Sequence, residues 1–192
     1  MKKWEYDYRN SEIQYDFSKI ANILNKQNYP QIYNFIEDTN ATIYWKEQGD
    51  CKSSLSLAST TALSYRYHKQ GIEVNLSPQY PLSCSIHNCN DDNIDIDSEL
   101  DLVKNGTVSE ECFPYSSKEE IIESCPSKCK DGSELKKYYA QNAYKSPVIN
   151  ETNFYEIVEI MFDQIYNNGP IITTFDVYEA GDRLDNEQYA RS

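Results

Sequence analysis

The most regular pattern of apolar and polar positions lies in residues 53–70, a stretch without Gly or Pro that ends at Gly71. Apolar side chains recur there at intervals near the helical period, at Leu55, Ala58, Ala62, Leu63 and Tyr67. This spacing predicts a long amphipathic helix, because residues three or four positions apart share one face of a helix.

A second apolar pattern predicts a helix followed by a strand. Thr152 or Asn153 is a suitable N-cap for the helix, and Gly169-Pro170 is a stop signal. Between these signals, apolar side chains repeat with helical spacing, at Phe154, Ile157, Val158, Met161, Phe162 and Ile165. The β-branched and aromatic residues that follow, at positions 171–178, are typical of a strand.

Weaker patterns complete the expected order of elements. Residues 17–24 and 97–104 each predict a short helix, and Pro30 begins a region that is expected to be extended. No internal repeat is present in the sequence.

The composition along the chain suggests where a folded domain begins and ends. Residues 1–29 are polar and rich in Tyr and Asn, and they are interpreted as an N-terminal extension or the remnant of a pro-segment. Residues 181–192 are charged without an apolar pattern, as in a polar tail. The length of the chain, 192 residues, allows one domain or two small lobes.

The charge of the chain limits the partners that it can bind. Its formal net charge is −13, which argues against binding to nucleic-acid backbones or to anionic membranes. No apolar run is long enough to cross a bilayer, so no membrane insertion is expected. The acidic residues 91–101 lack the ligand spacing of an EF-hand and are interpreted as a solvated face and the first turn of the helix at 97–104. No cofactor is expected.

The cysteines and sequons favour an oxidising compartment. The sequence has six cysteines, an even number. Asn40, Asn105 and Asn150 begin N-glycosylation sequons, and Asn75 begins a fourth that Pro78 weakens. These features favour a secretory or lysosomal-type compartment. The first residues, however, include two lysines but no apolar core, which is not the pattern of a signal peptide.

The stretch QGDCKSS at residues 48–54 resembles the papain-family motif Q-G-x-C-G-S-C, whose last Cys is the nucleophile at the start of a long helix. Further matches follow in the order of the family, namely PQIYNF (30–35), NLSPQYPLSC (75–84), CN (89–90), VS to CFPY (108–115), the C-x-x-x-C spacing of 125–129, and EIMFDQIYNNGPIITTFDVYEA (159–180). The chain is thus similar to cathepsin B-like members of the papain family over residues 30–180.

This resemblance implies a papain-like α+β fold with two lobes. The helix at 53–70 would be the centre of the helical left lobe, and the strand at 171–178 would begin a β-rich right lobe that is incomplete in these residues. The resemblance also implies the disulfide pairs Cys51–Cys89, Cys84–Cys125 and Cys112–Cys129. Six cysteines allow fifteen pairings, and a zinc site made by the cysteines at 84, 89, 125 and 129 is the rival interpretation.

The resemblance assigns catalytic positions to Ser54 and Gln48. Ser54 stands where the family has its nucleophilic Cys, and Gln48 stands where the family has the side-chain amide of its oxyanion hole. A serine hydroxyl is less acidic than a thiol and is a poor nucleophile without a correctly placed base. The family supplies the base from an H-A-x-x-x-G-W/Y-G segment and the orienting Asn from an N-S-W segment, and neither motif occurs in these 192 residues.

The two histidines of the chain do not replace the missing base. His68 is expected about four helical turns beyond Ser54, which is too far for contact. His87 lies between two cysteines and is interpreted as an exposed loop residue. In the expected substrate cleft, Asp91 and Asp92 replace the family's Gly-Gly and would crowd the cleft with negatively charged side chains.

Two functions remain open at this point. The chain is expected to be a non-catalytic homologue that acts as a binding or structural module, with a protein or peptide partner or within a larger assembly. The alternative is that it is a truncated portion of an active cysteine peptidase that carries out proteolysis.

Overall fold

The computed structural model describes residues 16–30, 32–44, 46–84, 89, 105–119, 121–141, 143, 145–147, 149–150 and 152–173. Five α-helices lie in these ranges, namely α1 (Phe17–Lys26), α2 (Phe35–Thr39), α3 (Ser54–Lys69), α4 (Gln79–Cys84) and α5 (Phe154–Asp163). A 3₁₀ turn covers Ser117–Glu119, and α5 continues as a π-helical turn over Gln164–Asn168. The predicted helix at 97–104, most of the strand at 171–178 and the tail at 181–192 lie outside the described residues, as do His87, Asp91 and Asp92.

The central helix α3 is confirmed, and it begins and ends within one residue of its predicted bounds. Its buried face differs from the apolar stripe that the spacing indicated: Ala58 is exposed, and Leu55 and Tyr67 are only half-buried. The buried side chains are mostly small and polar, namely Ser56, Ser59, Thr60, Ala62, Leu63, Ser64 and Tyr65. The helix itself was therefore predicted correctly. Of the five apolar positions, Ala62 and Leu63 are buried as the spacing indicated, whereas the other three are not.

Hydroxyl groups can be buried on α3 because the helix backbone accepts their hydrogen bonds. Thr60 Oγ1 donates to the carbonyl of Ser56 at 2.7 Å, and Ser64 Oγ donates to the carbonyl of Thr60 at 2.7 Å. Ser64 Oγ also accepts the backbone N–H of Leu76 at 3.0 Å. Satisfied hydroxyls avoid the cost of an unpaired buried polar group, and their small size lets neighbouring segments approach the helix closely.

Helix α2 corrects the prediction of an extended region after Pro30. The side chain of Asn34 caps this helix by accepting the N–H groups of Ile36 and Glu37, while Asp38 Oδ2 accepts the N–H of Asn34 at 2.8 Å. Such reciprocal capping stabilises the first turn even in a short helix. The short apolar pattern of this region is compatible with either state, and the caps decide in favour of a helix.

The last described helix, α5, is joined to both α1 and α3. Polar contacts link α5 to both ends of α1: Gln27 Nε2 donates to Glu159 at 2.8 Å, and Tyr155 Oη accepts the N–H of Asp16 at 2.8 Å. From α3, Arg66 Nε donates to the carbonyl of Pro170 at 3.0 Å, just after the π-helical turn. Arg66 thereby fixes the chain where α5 ends.

The predicted start of α5 is confirmed, although its cap differs from the expectation. Asn153 is the N-cap residue, but its side chain makes no capping hydrogen bond. Its Oδ1 instead accepts the N–H of Asn150 at 2.7 Å. The helix stops before Gly169, whose φ of +110° favours glycine.

In the described part of the chain, β-structure is limited to two antiparallel bridges, Leu76 with Ser109 and Thr107 with Tyr138. Residues 171–173, the start of the predicted strand, are described and are not in a strand. Buried apolar side chains form small clusters around α3 and α4, such as Leu63 with Val74 and Leu76, and Tyr80 with Val108 and Phe113. No helix in the described ranges is both long enough and apolar enough to span a membrane.

Candidate functional site

The site that the motifs indicate lies at the N-terminus of α3. Ser54 is the first residue of this helix and is exposed, whereas Ser53 before it is buried. The preceding loop turns at Gly49, whose φ of +68° is strained for other residues. Ser54 is thus presented to solvent at a helix N-terminus, where free backbone N–H groups favour negative charge.

A disulfide between Cys51 and Cys89 holds this loop in place. Both cysteines are almost completely buried and pack against Leu82 of α4. Beside the disulfide, the backbone N–H of Lys52 donates to the carbonyl of Cys89 at 3.0 Å. The residues just before Ser54 are therefore fixed both covalently and by hydrogen bonding.

Tyr115 connects the two sides of the site. Its hydroxyl donates to the carbonyl of Gln48 at 2.8 Å and lies 2.6 Å from the hydroxyl of Ser53. Tyr115 lies in the CFPY stretch that carried part of the family resemblance, but the sequence pattern assigned no role to it. In the structure, this side chain contacts the loop at both of its ends, at the Gln48 carbonyl and at the Ser53 hydroxyl.

The amide of Gln48 is engaged within its own loop. Gln48 Nε2 donates to the carbonyl of Cys51 at 2.8 Å, and the side chain is half-buried. An oxyanion hole requires a donor aimed at the place where negative charge develops. In this structure the Gln48 amide stabilises the loop that precedes Ser54.

Glu110 forms a half-buried charge pair with Lys46 and also contacts the backbone of Tyr115. Lys46 Nζ lies 3.9 Å from Glu110 Oε2 and donates to Asn75 Oδ1 at 2.8 Å. Glu110 Oε1 accepts the backbone N–H of Tyr115 at 2.9 Å, whereas Glu110 Oε2 is buried without a hydrogen bond. Burial raises the pKa of Glu110 and lowers the pKa of Lys46, and each charge opposes the shift of the other.

His68 lies on α3, but it takes part in a different cluster from the Ser54 site. Its Nε2 donates to the carbonyl of Thr39 at 3.0 Å, and its Nδ1 pairs with Glu73, which also accepts the hydroxyl of Tyr44. At about 1.5 Å per residue, His68 is roughly 21 Å along the helix from Ser54. The structure therefore does not bring His68 and Ser54 together.

We expect His68 to make the stability of the fold depend on pH. The Thr39 carbonyl and then the Glu73 carboxylate raise the pKa of His68 above its ordinary value of 6.5, because both ring nitrogens face acceptors. A raised pKa contributes stability that is complete below about pH 6.5 and is lost as the pH rises through the higher folded-state pKa. Urea unfolding between pH 5 and pH 9 should show this loss in the native chain, and His68→Gln should flatten it. An unchanged pH profile in the variant would contradict the assignment.

The other disulfides pair Cys84 with Cys125 and Cys112 with Cys129. Together with Cys51–Cys89 they are the pairs that the family resemblance implied. All six sulfurs are in disulfides, so none is available as a thiolate ligand for the rival zinc site.

Comparisons with known proteins identify the family. The sequence matches the profile of the papain family cysteine proteases over residues 29–186. The chain belongs to this family. Among curated relatives, this papain-family chain is 28% identical over 160 residues to cathepsin B-like CP2 of Giardia intestinalis and 31% identical over 137 residues to cathepsin B-like CP3 of the same organism. The predicted resemblance to cathepsin B-like members is confirmed.

The alignments cover different shares of the proteins compared. They include 80% and 69% of this chain, but 51% of cathepsin B-like CP2 and 44% of cathepsin B-like CP3. The papain-family chain thus spans about half the length of the curated relatives it matches.

Solved structures support the papain-like fold. The chain aligns with proCathepsin B S9 from Trypanosoma congolense at a TM-score of 0.58 and 17% identity, over 81% of this chain and 53% of that one. It aligns with SERA5E from Plasmodium falciparum at a TM-score of 0.52 and 20% identity, over 71% and 60% of the two chains. The predicted papain-like α+β fold is confirmed.

Proposed function

We propose that these 192 residues form a non-catalytic papain-family module that binds a protein or peptide partner. The observation that carries the proposal is the surroundings of Ser54. Residue 54, at the position that the family uses for its nucleophile, has a hydroxyl group. His68, the one histidine in the described ranges, lies near the C-terminal end of α3 and is bonded to Thr39 and Glu73. A serine without a nearby base is a poor nucleophile.

The fixed geometry of the loop before Ser54 supports a binding role. A disulfide, Tyr115 and the Gln48 amide hold this loop, so the helix N-terminus is a rigid and exposed surface. The net charge of −13 favours a partner with basic segments. Native mass spectrometry of material from the natural source tests this point: a stable complex supports the proposal, and a chain that is always free contradicts it.

The proposed compartment is secretory or lysosomal in type. The three disulfides support it, since such bonds persist in oxidising environments. The names of the relatives, both cathepsin B-like, point the same way.

A second candidate function is that of a portion of an active cysteine peptidase. It is favoured by the coverage of the relatives, of which the chain matches about half. The complete open reading frame on both sides of these residues distinguishes the two. Downstream segments of the H-A and N-S-W type support the peptidase, and a stop codon directly after Ser192 supports the non-catalytic module.

We expect Ser54→Cys to produce no hydrolysis of a fluorogenic dipeptidyl substrate above the blank. A helix N-terminus lowers the pKa of a thiol, but turnover also requires a positioned acid and base. The same variant should react with iodoacetamide, since residue 54 is exposed. Alkylation without turnover fits the proposal, whereas appreciable turnover that iodoacetamide abolishes would contradict it.

A further inference from the structure

The four glycosylation sequons have different surroundings in the folded chain. N-linked glycosylation joins the side-chain nitrogen of Asn to a sugar, so the folded protein must leave that nitrogen at the surface with room for a glycan. The sequons at Asn40, Asn75, Asn105 and Asn150 can be compared on this basis.

Asn40 is exposed at the C-terminal end of α2. It is the C-cap of α2, with left-handed backbone angles (φ 51°, ψ 42°), and its backbone N–H bonds to the helix end. Thr42, the third residue of the sequon, is also exposed. The cap is thus formed by the backbone of Asn40, and the residue is exposed.

Asn150 is exposed, and the oxygen of its side-chain amide accepts the hydrogen bonds of the local turn. Oδ1 accepts the N–H and the hydroxyl of Thr152, at 2.9 and 2.6 Å, and the N–H of Asn153 at 3.1 Å. The turn before α5 therefore uses the oxygen of the side chain and leaves the nitrogen for another role. A sugar on Nδ2 would keep all of these bonds.

Asn75 is in the opposite situation. It is half-buried, its Oδ1 accepts Lys46 Nζ at 2.8 Å, and its carbonyl accepts the N–H of Glu110 at 2.8 Å. Ser77, the third residue of this sequon, is fully buried, and so is Pro78 after it. A glycan on Asn75 would need space beside the half-buried Lys46–Glu110 pair.

The sequon at Asn105 is intermediate. Asn105 is exposed, but Thr107 is buried and its Oγ1 donates to the carbonyl of Ser77 at 2.8 Å. An enzyme that must contact the Thr107 hydroxyl can reach it only before the chain folds.

We propose that in the secretory pathway the chain carries N-linked glycans at Asn40 and Asn150 and none at Asn75. In the reaction, Nδ2 attacks C1 of an oligosaccharide held on a lipid pyrophosphate. The N–C1 bond forms, the bond from C1 to the phosphate oxygen breaks with its electrons leaving on the lipid pyrophosphate, and the amide nitrogen loses one proton. The proposal rests on the secretory-type compartment proposed above.

The test expresses the chain behind an added signal peptide in a eukaryotic secretory host, so that its own compartment does not affect the result. Glycopeptide mass spectrometry of the secreted, disulfide-bonded fraction should find glycans at Asn40 and Asn150, and unmodified Asn75. Asn40→Gln and Asn150→Gln should each increase the gel mobility by the amount that one glycan accounts for in a glycosidase digest. Thr42→Ala and Thr152→Ala, which destroy the same sequons but keep the asparagines, should have the same effect. Asn75→Gln should leave the mobility unchanged. A glycan on Asn75 in this fraction, or its absence from Asn40 or Asn150, overturns the proposal. The compartment is tested separately. If the native chain is found in a reducing compartment, the proposed secretory-type compartment is wrong, whereas the result for the sequons still stands.

Discussion

Replacing Cys51 and Cys89 together by alanine is expected to lower the free energy of unfolding by about 4 kcal/mol. The two residues are 38 positions apart, and a crosslink of this span removes much conformational freedom from the unfolded chain. For a chain of this size the loss corresponds to a decrease in melting temperature of roughly 10 °C. Denaturant unfolding of the oxidised proteins measures the difference.

Cys112 and Cys129 provide the matched control. They are 17 residues apart, so the same double replacement is expected to cost about 3 kcal/mol. The two variants should also differ locally. Hydrogen exchange at the Lys52 amide, which donates to the Cys89 carbonyl, should accelerate more in the Cys51/Cys89 variant. Equal exchange in both variants would contradict the role of Cys51–Cys89 in holding the loop before Ser54.

Glu110→Gln is expected to destabilise the fold by about 3 kcal/mol, and Lys46→Met by a similar amount. The two side chains are only 22% and 12% exposed, so either replacement leaves the remaining charge half-buried without its counter-ion. The double variant should regain most of the loss, because a buried ion pair is often no better than uncharged groups of similar size. Urea unfolding of the four proteins at pH 7 gives the coupling energy.

An exposed ion pair serves as the comparison for this cycle. Lys130 Nζ lies 3.2 Å from Glu123 Oε1, closer than the Lys46–Glu110 pair, but its side chains are 48% and 38% exposed. The same cycle there should give no more than about 0.5 kcal/mol. If the exposed pair showed the larger coupling energy, distance rather than burial would govern these ion pairs, and the expected cost of Glu110→Gln would be wrong.

The sequence predicts the helices of this fold better than it predicts which of their side chains are buried. The spacing of apolar residues located α3 and α5 well, because helix formation over ten or more residues is encoded locally. It identified only Ala62 and Leu63 on the buried face of α3, and it missed Ser59, Thr60 and Ser64. Hydroxyls bonded to the helix backbone can be buried at low cost, and a hydrophobic pattern contains no sign of them.

The candidate site shows the same division. The QGDCKSS motif located Ser54 and Gln48, and the family resemblance implied the disulfide pairs that the structure contains. Neither the motif nor the family resemblance indicated the ion pair between Lys46 and Glu110. The two residues are far apart in the chain, and no local pattern links them. The direction of the Gln48 amide, which bonds to Cys51, also depends on the folded loop.

By itself, the sequence predicted the family and the central helix with Ser54 at its start, because motifs and periodicity are local. Only the tertiary structure decided which groups surround that residue. It placed His68 beside Thr39 and Glu73, and it placed Tyr115 against Gln48 and Ser53. Such contacts join residues from distant parts of the chain, and they exist only once packing has brought those parts together.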